Sequence, residues 1–415
     1  MWRPFVVTRP AVRQDFSPAR DATAGLLKTN LARRGFISAA MLTLLAGCSG
    51  LNTDSSAPGA PGAPVATGPA TPGTTIGNGS VKVALLLPLS AGGQFGAIAT
   101  GMRNAAELAV ADFQGADITI LVKDDGGTAQ GAQAAAQAAI QEGAEIILGP
   151  VLADAVRGAA AVARPAGKPI IAYSTDVGVA SRGVYVMGIT PQVSVDRIVE
   201  YAAQQGKRSY AAFVPNSAYG QVVQGAFQEA VSRAGGRVVA IESFPTEASG
   251  INAAAAKLSG IAGQIDAIFV PDPYNGQAVR ALSAAGINTQ RVQVLGLGTW
   301  VDNRAAAQAA PGAVYSAPDG AGFRNFATRY RARFNSDPPR TAALAYDSVS
   351  LVTALVRTQG SQRFSESVLT NAAGANGVDG LFRFRPDGTT QRGLAVVNAS
   401  GRVVSPAPRS FNAGS

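Results

Sequence analysis

The amino-acid sequence predicts an α/β protein built as two doubly wound parallel-sheet lobes, and three observations carry that prediction. From Val81 onward, short apolar runs alternate with Ala-rich stretches of helical spacing, the texture of a parallel sheet covered on both faces. The alternation comes as two consecutive series of similar size, divided near Pro191. A chain of 415 residues also exceeds the roughly 100 to 200 residues that one core usually serves.

Taken in order, the first segment reads as an export signal. Arg33 and Arg34 precede a 12-residue apolar run, Gly35 to Ala46, which closes on Leu45-Ala46-Gly47-Cys48. That run is too short for a membrane span of about 20 residues, whereas charge, a short apolar stretch and small residues are signal-peptide grammar. Leu-Ala-Gly-Cys resembles the bacterial lipobox, which implies that Cys48 carries a lipid and becomes the mature N-terminus. Arg33-Arg34-Gly35-Phe36-Ile37 also resembles the twin-arginine export pattern, and both export routes remain open. Residues 49 to 80 hold five Pro, seven Gly and one charge, the composition of a disordered tether reaching roughly 30 Å from the lipid.

The first βα series has expected strands at 81–87, 118–124, 145–149 and 169–174, with helices at 94–113, 128–141 and 153–163. The last of these is stopped by Arg164-Pro165. The second has a helix from Pro191 to about Gln204, then strands at 210–215, 237–244, 266–272 and 292–298. Helices at 219–234, near 250–260 and at 276–285 lie between them. After an expected strand at 313–319 come helices at 323–334 and 341–358, then a hairpin, LFRFRPDGTTQRGLAVVN, turning at Pro386-Asp387-Gly388. The tail from Ser405 shows no periodic pattern.

Composition removes several classes of function. There is no histidine, and Cys48 is the one cysteine, which excludes His-based triads, HExxH zinc sites, paired-Cys metal sites and disulfides. No metal is expected. The formal charge of +9 is concentrated in residues 1 to 48, whose seven Lys/Arg and two Asp give +5 and leave 9 − 5 = +4 for the rest. No Lys/Arg-rich stretch follows Cys48, so no nucleic-acid partner is expected. Neither GxGxxG after a strand nor GxxxxGK[ST] occurs, so no cofactor is expected.

Several motifs in order carry a family resemblance: VALLLPLSAGGQFG with GMRNAAELAV, EGAEIILGP with ARPAGKPIIAYST, VPNSAYGQVVQGAFQEAVSRAGGRVV, and VDGLFRFRPDG. From Val81 to about Val404 the chain resembles the type I periplasmic solute-binding proteins of the leucine/isoleucine/valine-binding family. The resemblance implies one lobe from 81–191 plus 318–376, the other from 192–317 plus 377–408, a tail at 409–415, and hinged closure on a ligand. A lipoprotein beginning LLPLS after a long tether is also similar to the penicillin-binding-protein activators, which share the fold and act on peptidoglycan synthases.

On this reading the protein is no enzyme. It is an envelope lipoprotein on the periplasmic face of a membrane, binding a small polar or amphipathic solute for an ABC permease, or, alternatively, acting on a peptidoglycan synthase.

Ligands of doubly wound sheets sit at strand carboxyl ends, which selects the candidate site. Ser90 and Gln94 lie where PLSAGGQFG opens a helix, whose free N–H groups favour a carboxylate; a Ser N-cap with a turn fits equally. Ser174, Thr175 and Asp176 end the fourth strand and offer polar groups to the cleft, or cap the next segment. Tyr219 matches the family's aromatic that covers the ligand, and Tyr274 follows a strand end; both rings suit a closing wall, and both could simply pack. Two departures stand out. Val151-Leu152-Ala153-Asp154 replaces the Ser-rich turn that holds an amino acid's carboxylate, and Gly296-Leu297-Gly298-Thr299-Trp300 lacks the family's acidic partner for an ammonium. Asp124-Asp125 reads as a turn rather than a catalytic pair, because adjacent strand residues face opposite ways. Asp347, which could contact ligand or face solvent, is kept out of the site.

Overall fold

The computed structural model describes residues 75–411 except 114, 116, 246, 275 and 302. Cys48, the expected export signal, the tether up to residue 74 and the last four residues lie outside the described residues.

The first sheet is built from β1 (Thr75–Gly77), β2 (Val81–Leu87), β3 (Ile118–Asp124), β4 (Ile146–Leu148), β5 (Ile170–Ala172) and β6 (Val184–Val186). Its order is β1-β3-β2-β4-β5-β6, parallel except for β1, which runs antiparallel to β3. The helices α1 (Gln94–Asp112), α2 (Ala129–Gln141) and α3 (Ala153–Ala163) make the crossovers. Alternation along β2 feeds both faces. Val83, Leu85 and Leu87 join the core under α1, while Ala84 and Leu86 join the core under α2 and α3.

The second sheet repeats the plan. After α4 (Pro191–Gln204) come β7 (Ser209–Pro215), α5 (Ala218–Arg233), β8 (Arg237–Phe244), α6 (Ala248–Ser259), β9 (Ala267–Phe269), α7 (Gln277–Ala284), β10 (Gln293–Gly296), α8 (Arg304–Ala309) and β11 (Val314–Ala317). Then α9 (Ala321–Phe334), α10 (Ala342–Thr358) and α11 (Glu366–Leu369) return the chain to the first lobe. Phe326, Tyr330 and Val349 share that lobe's core with β2. A small sheet follows, β12 (Ala375–Gly377), β13 (Gly380–Phe384) and β14 (Thr390–Arg392), before β15 (Ala395–Asn398) and β16 (Val403–Ser405). The second sheet has the order β16-β15-β11-β10-β9-β7-β8, parallel from β8 to β11 and antiparallel at β15 and β16. Phe227 stacks on Phe269 with ring centroids 4.5 Å apart, pinning α5 to β9.

Three corrections to the sequence reading follow. Thr75–Gly77 belong to a strand, not to a tether running to residue 80, because the lone apolar Ile76 buries against the sheet and is 7 % exposed. The third crossing between lobes falls at 393–394, not at 377: Phe382 and Phe384 pack in the first lobe's core, while Ala395 and Val397 pack in the second's. The expected hairpin therefore ends at β14, and its second half, LAVVN, pairs with β11 instead. The two parallel sheets also carry antiparallel edges that periodicity alone did not reveal.

Candidate cleft at the sheet switch points

Leaving out the antiparallel strands, each lobe has the same order, the second strand of its series beside the first, then the third, fourth and fifth. In such a sheet the crossovers leave in opposite directions on either side of the first strand, and the gap between them opens a crevice at the carboxyl edge. In the first lobe that point lies between β2 and β4, so residues 88–93 and 149–152 border it. In the second it lies between β7 and β9, so residues 216–217 and 270–274 border it. Crossings leave the carboxyl ends of β6 and β11, so the carboxyl edges of both sheets adjoin the hinge.

Ser90 sits in the first of these loops, exposed, its backbone N–H donating to Asp124 Oδ1 at 3.1 Å. It caps no helix. The helix begins four residues later at Gln94, and Gly93, with φ 63°, provides no side-chain cap, so the first-turn N–H groups of α1 are left to solvent or ligand. Asp124 and Asp125 each accept from a glycine N–H two residues on, Gly126 at 3.0 Å and Gly127 at 2.8 Å, which makes the DDGG turn. The two carboxylates part company there, Asp124 exposed and Asp125 1 % exposed. Burial pushes Asp125 up to about 6, against the Gly127 N–H and helped by the neighbouring Asp124 charge. Gly149 ends β4 with φ 85°, and a Cβ there would lie 2.2 Å from Leu86 O, so only glycine lets the two switch-point strands approach. Leu152 reaches the same place, 3.3 Å from where a Cβ on Gly127 would be.

After β5, Ser174 is buried and its Oγ accepts from the Asp176 N–H at 3.1 Å, the capping alternative. Thr175 is exposed. Asp176 caps the following turn through Gly178 N–H and pairs with Arg157 at 3.2 Å. In the second lobe Tyr219 is the second residue of α5 and 36 % exposed, yet its hydroxyl is crowded enough that burial pushes it up to about 12, with the Asp272 carboxylate adding. Asp272 Oδ1 accepts from the Tyr274 N–H at 2.8 Å and so holds Tyr274 at φ 47°, a conformation a tyrosine rarely adopts. Tyr274 is half-buried against the second lobe's core. Asp272 thus gathers the two tyrosines. Ser90 and Tyr274 lie in loops that border the switch points, and Gln94 and Tyr219 stand in the first turns of the helices that follow the strands there. Ser174 and Thr175 follow β5, one strand beyond the switch point.

Of the five exposed large apolar side chains among the described residues, all but Val403 on β16 stand near a strand's carboxyl end. Phe95 opens α1, Val222 follows Tyr219 on α5 and Val301 follows β10, each 45–47 % exposed. Trp300, in the segment where the acidic partner is missing, is buried and donates its Nε1–H to Val270 O at 2.8 Å.

Sequence reasoning missed the polar cluster behind the cleft. Asp347 on α10 faces neither ligand nor solvent: it is 4 % exposed, accepts from the Val378 N–H at 2.8 Å, and leaves Oδ2 without a partner. Burial pushes it up to about 7, opposed by the Val378 N–H and Arg392. Gly377 admits it, since a Cβ there would lie 2.2 Å from Oδ2. Arg392, also buried, donates from Nη2 to Met187 O at 2.5 Å, and Thr390 Oγ1 donates to Val186 O, so β14 clamps the first crossing. Asp379 pairs with Arg340 beside them. The signal for Asp347 was its place on the apolar face of TAALAYDSVSLV, among Ala343, Leu344 and Leu351.

The sequence profile described as "Periplasmic binding protein" matches residues 80–402. The chain belongs to that family. Solved structures agree in fold. A branched-chain amino acid ABC transporter protein of Rhodospirillum rubrum is 20 % identical, with 78 % of this chain and 99 % of that chain covered at a TM-score of 0.67. A solute binding protein of an ABC transporter from Rhodopseudomonas palustris BisB5, in complex with 3,4-dihydroxybenzoic acid, is 21 % identical over 80 % and 97 %, with a TM-score of 0.56. The branched-chain amino acid transporter substrate binding protein LivJ of Streptococcus pneumoniae, in complex with isoleucine, is 24 % identical over 78 % and 98 %, with a TM-score of 0.53. Among curated protein sequences, none matches.

Proposed function

We propose that this periplasmic binding protein is an exported lipoprotein, anchored through Cys48, that closes on a small amphipathic solute and presents it to an ABC permease in the membrane. One observation carries the reading. Ser90 and Gln94 from one lobe, and Tyr219 and Tyr274 from the other, stand in or next to the loops of equivalent switch points on the two carboxyl edges that adjoin the hinge. A solute held there is bridged by both lobes, and bridging is what stabilises a closed arrangement. The exposed Phe95, Tyr219 and Val222 favour an apolar or aromatic body, with Ser90, Thr175 and the α1 N–H groups for its polar end.

A thermal-shift screen of the chain against amino acids, aromatic acids, amides, short peptides and muropeptides tests this, because a ligand of the folded state must raise the melting temperature. A shift with one solute class supports uptake. No shift from a cooperatively melting sample counts against it.

A second reading, regulation of a peptidoglycan synthase on the same fold, is favoured by one feature: apolar Val151 and Leu152 stand where hydroxyl donors for a carboxylate are expected, and Leu152 crowds the crevice. Recovery of a synthase, but no permease, from cross-linked envelopes would shift the assignment to it.

A further inference from the structure

Behind the hinge, on the side formed by α4 and β14, lies a cavity of about 480 Å³ that the solute cleft does not use. One wall is α4, whose Val195, Ile198 and Val199 are in the second lobe's core. The opposite wall is the β13–β14 hairpin, whose Phe382 and Phe384 are in the first lobe's core, and the segment after β16 closes the end. The cavity therefore touches both lobes.

Three guanidinium groups line it. Arg197 spends Nε and Nη2 on Leu394 O, Ser405 Oγ and Pro406 O, which fixes its plane beside the third crossing. Arg385 makes no ion pair among the described residues, its electrostatic neighbours being Asp196 and Asp387. Arg392 is 5 % exposed, and its Nε and Nη1 have no acceptor. Of the carboxylates at hand, Asp196 pairs with Arg233 and Asp379 with Arg340, while Glu200 accepts from the neutral Gln204 and keeps its charge beside Arg197, so the three guanidinium groups outnumber the acids that line the cavity. Asp379 and Asp347 both face Arg392 from the interior, and burial pushes both carboxyls up, Asp347 to about 7. A buried guanidinium with two open donors is costly, and planar oxyanions are what satisfy such groups best.

We propose that this cavity binds a small oxyanion, phosphate-like or carboxylate, against Arg385 and Arg197 and above the buried charge of Arg392, tying α4 to the β13–β14 hairpin across the hinge. An occupant there couples to lobe movement, because its contacts belong to both lobes.

The test is calorimetric titration of the full-length chain with inorganic phosphate, and separately with acetate, at ionic strength held constant with chloride. A saturable heat is expected with at least one of the two anions; the stronger of them assigns the class. Arg385→Gln, which leaves the core untouched, is expected to weaken that binding by about ten- to hundredfold, the loss of one charge-assisted contact, without moving the melting temperature in chloride. Arg164→Gln, on a distant surface, is expected to change nothing. Heats no larger than those of chloride, or equal affinity in Arg385→Gln, overturn the proposal. Tyr219→Ala is expected to retain the anion response, so failure of the solute assignment and failure of this one are read separately.

Discussion

Replacing Asp347 by asparagine is expected to flatten the dependence of stability on pH between 5 and 8. The folded carboxyl keeps its proton up to about 7, whereas its ordinary value of 3.8 leaves the unfolded chain ionised at pH 5. Between these limits the folded state binds the extra proton, so stability falls as pH rises, by about 1.4 kcal/mol per unit. From pH 5 to 7 that amounts to about 2–3 kcal/mol, with no further change above the folded value. The asparagine variant has no such proton to lose and keeps a side-chain oxygen for the Val378 N–H. Asp125, pushed up to about 6, titrates in both proteins and cancels in the difference. Urea unfolding of wild type and variant at pH 5, 6, 7 and 8 measures it directly. The difference in unfolding free energy should move by about 2–3 kcal/mol in favour of the variant between pH 5 and 7, then level off. Parallel profiles, differing by less than about 0.5 kcal/mol across the range, would refute the burial argument for Asp347.

Other outcomes follow from single contacts. Gly149→Ala should cost about 2 kcal/mol or more in denaturant unfolding, since a Cβ meets Leu86 O at 2.2 Å with φ at 85°; a neutral result would mean that β2 and β4 are less closely apposed. Trp300→Phe should cost about 2–3 kcal/mol by leaving Val270 O buried without its donor, and a change under about 0.5 kcal/mol would contradict that hydrogen bond. Tyr219→Ala should lower the melting temperature of the free protein only modestly, because the ring is partly exposed, while weakening the solute identified by thermal shift at least about tenfold. Unchanged solute affinity would remove Tyr219 from the site.

Much of the fold was legible because its parallel strands are buried on both faces. VKVALLL and ITILVKD form strands over the residues that apolarity marks out, α3 ends where Arg164-Pro165 stop it, and α4 begins at Pro191. Two of the three-residue strands were not, although β4, β5 and β9 were. Ile76 and the VYV of β6 are too short for periodicity to register, and their pairing is set by long-range register. The third crossing escaped for a related reason: LFRFR and LAVVN carry the same alternation, and nothing local says that they join different sheets.

At the site, loop positions were readable because strand carboxyl ends are. What each side chain does there was not. Ser174 turned inward to the Asp176 N–H, and Tyr274 took a left-handed backbone because Asp272 holds it. The hinge cluster of Asp347, Asp379 and Arg392 depends on side chains from three separate segments, a convergence that only the folded topology makes.

Small-angle X-ray scattering of the full-length chain, with and without the solute that most raises its melting temperature, tests hinged capture most directly. A smaller radius of gyration in the presence of saturating solute, lost in Tyr219→Ala, is the expected result; a radius that saturating solute leaves unchanged would contradict closure on a ligand.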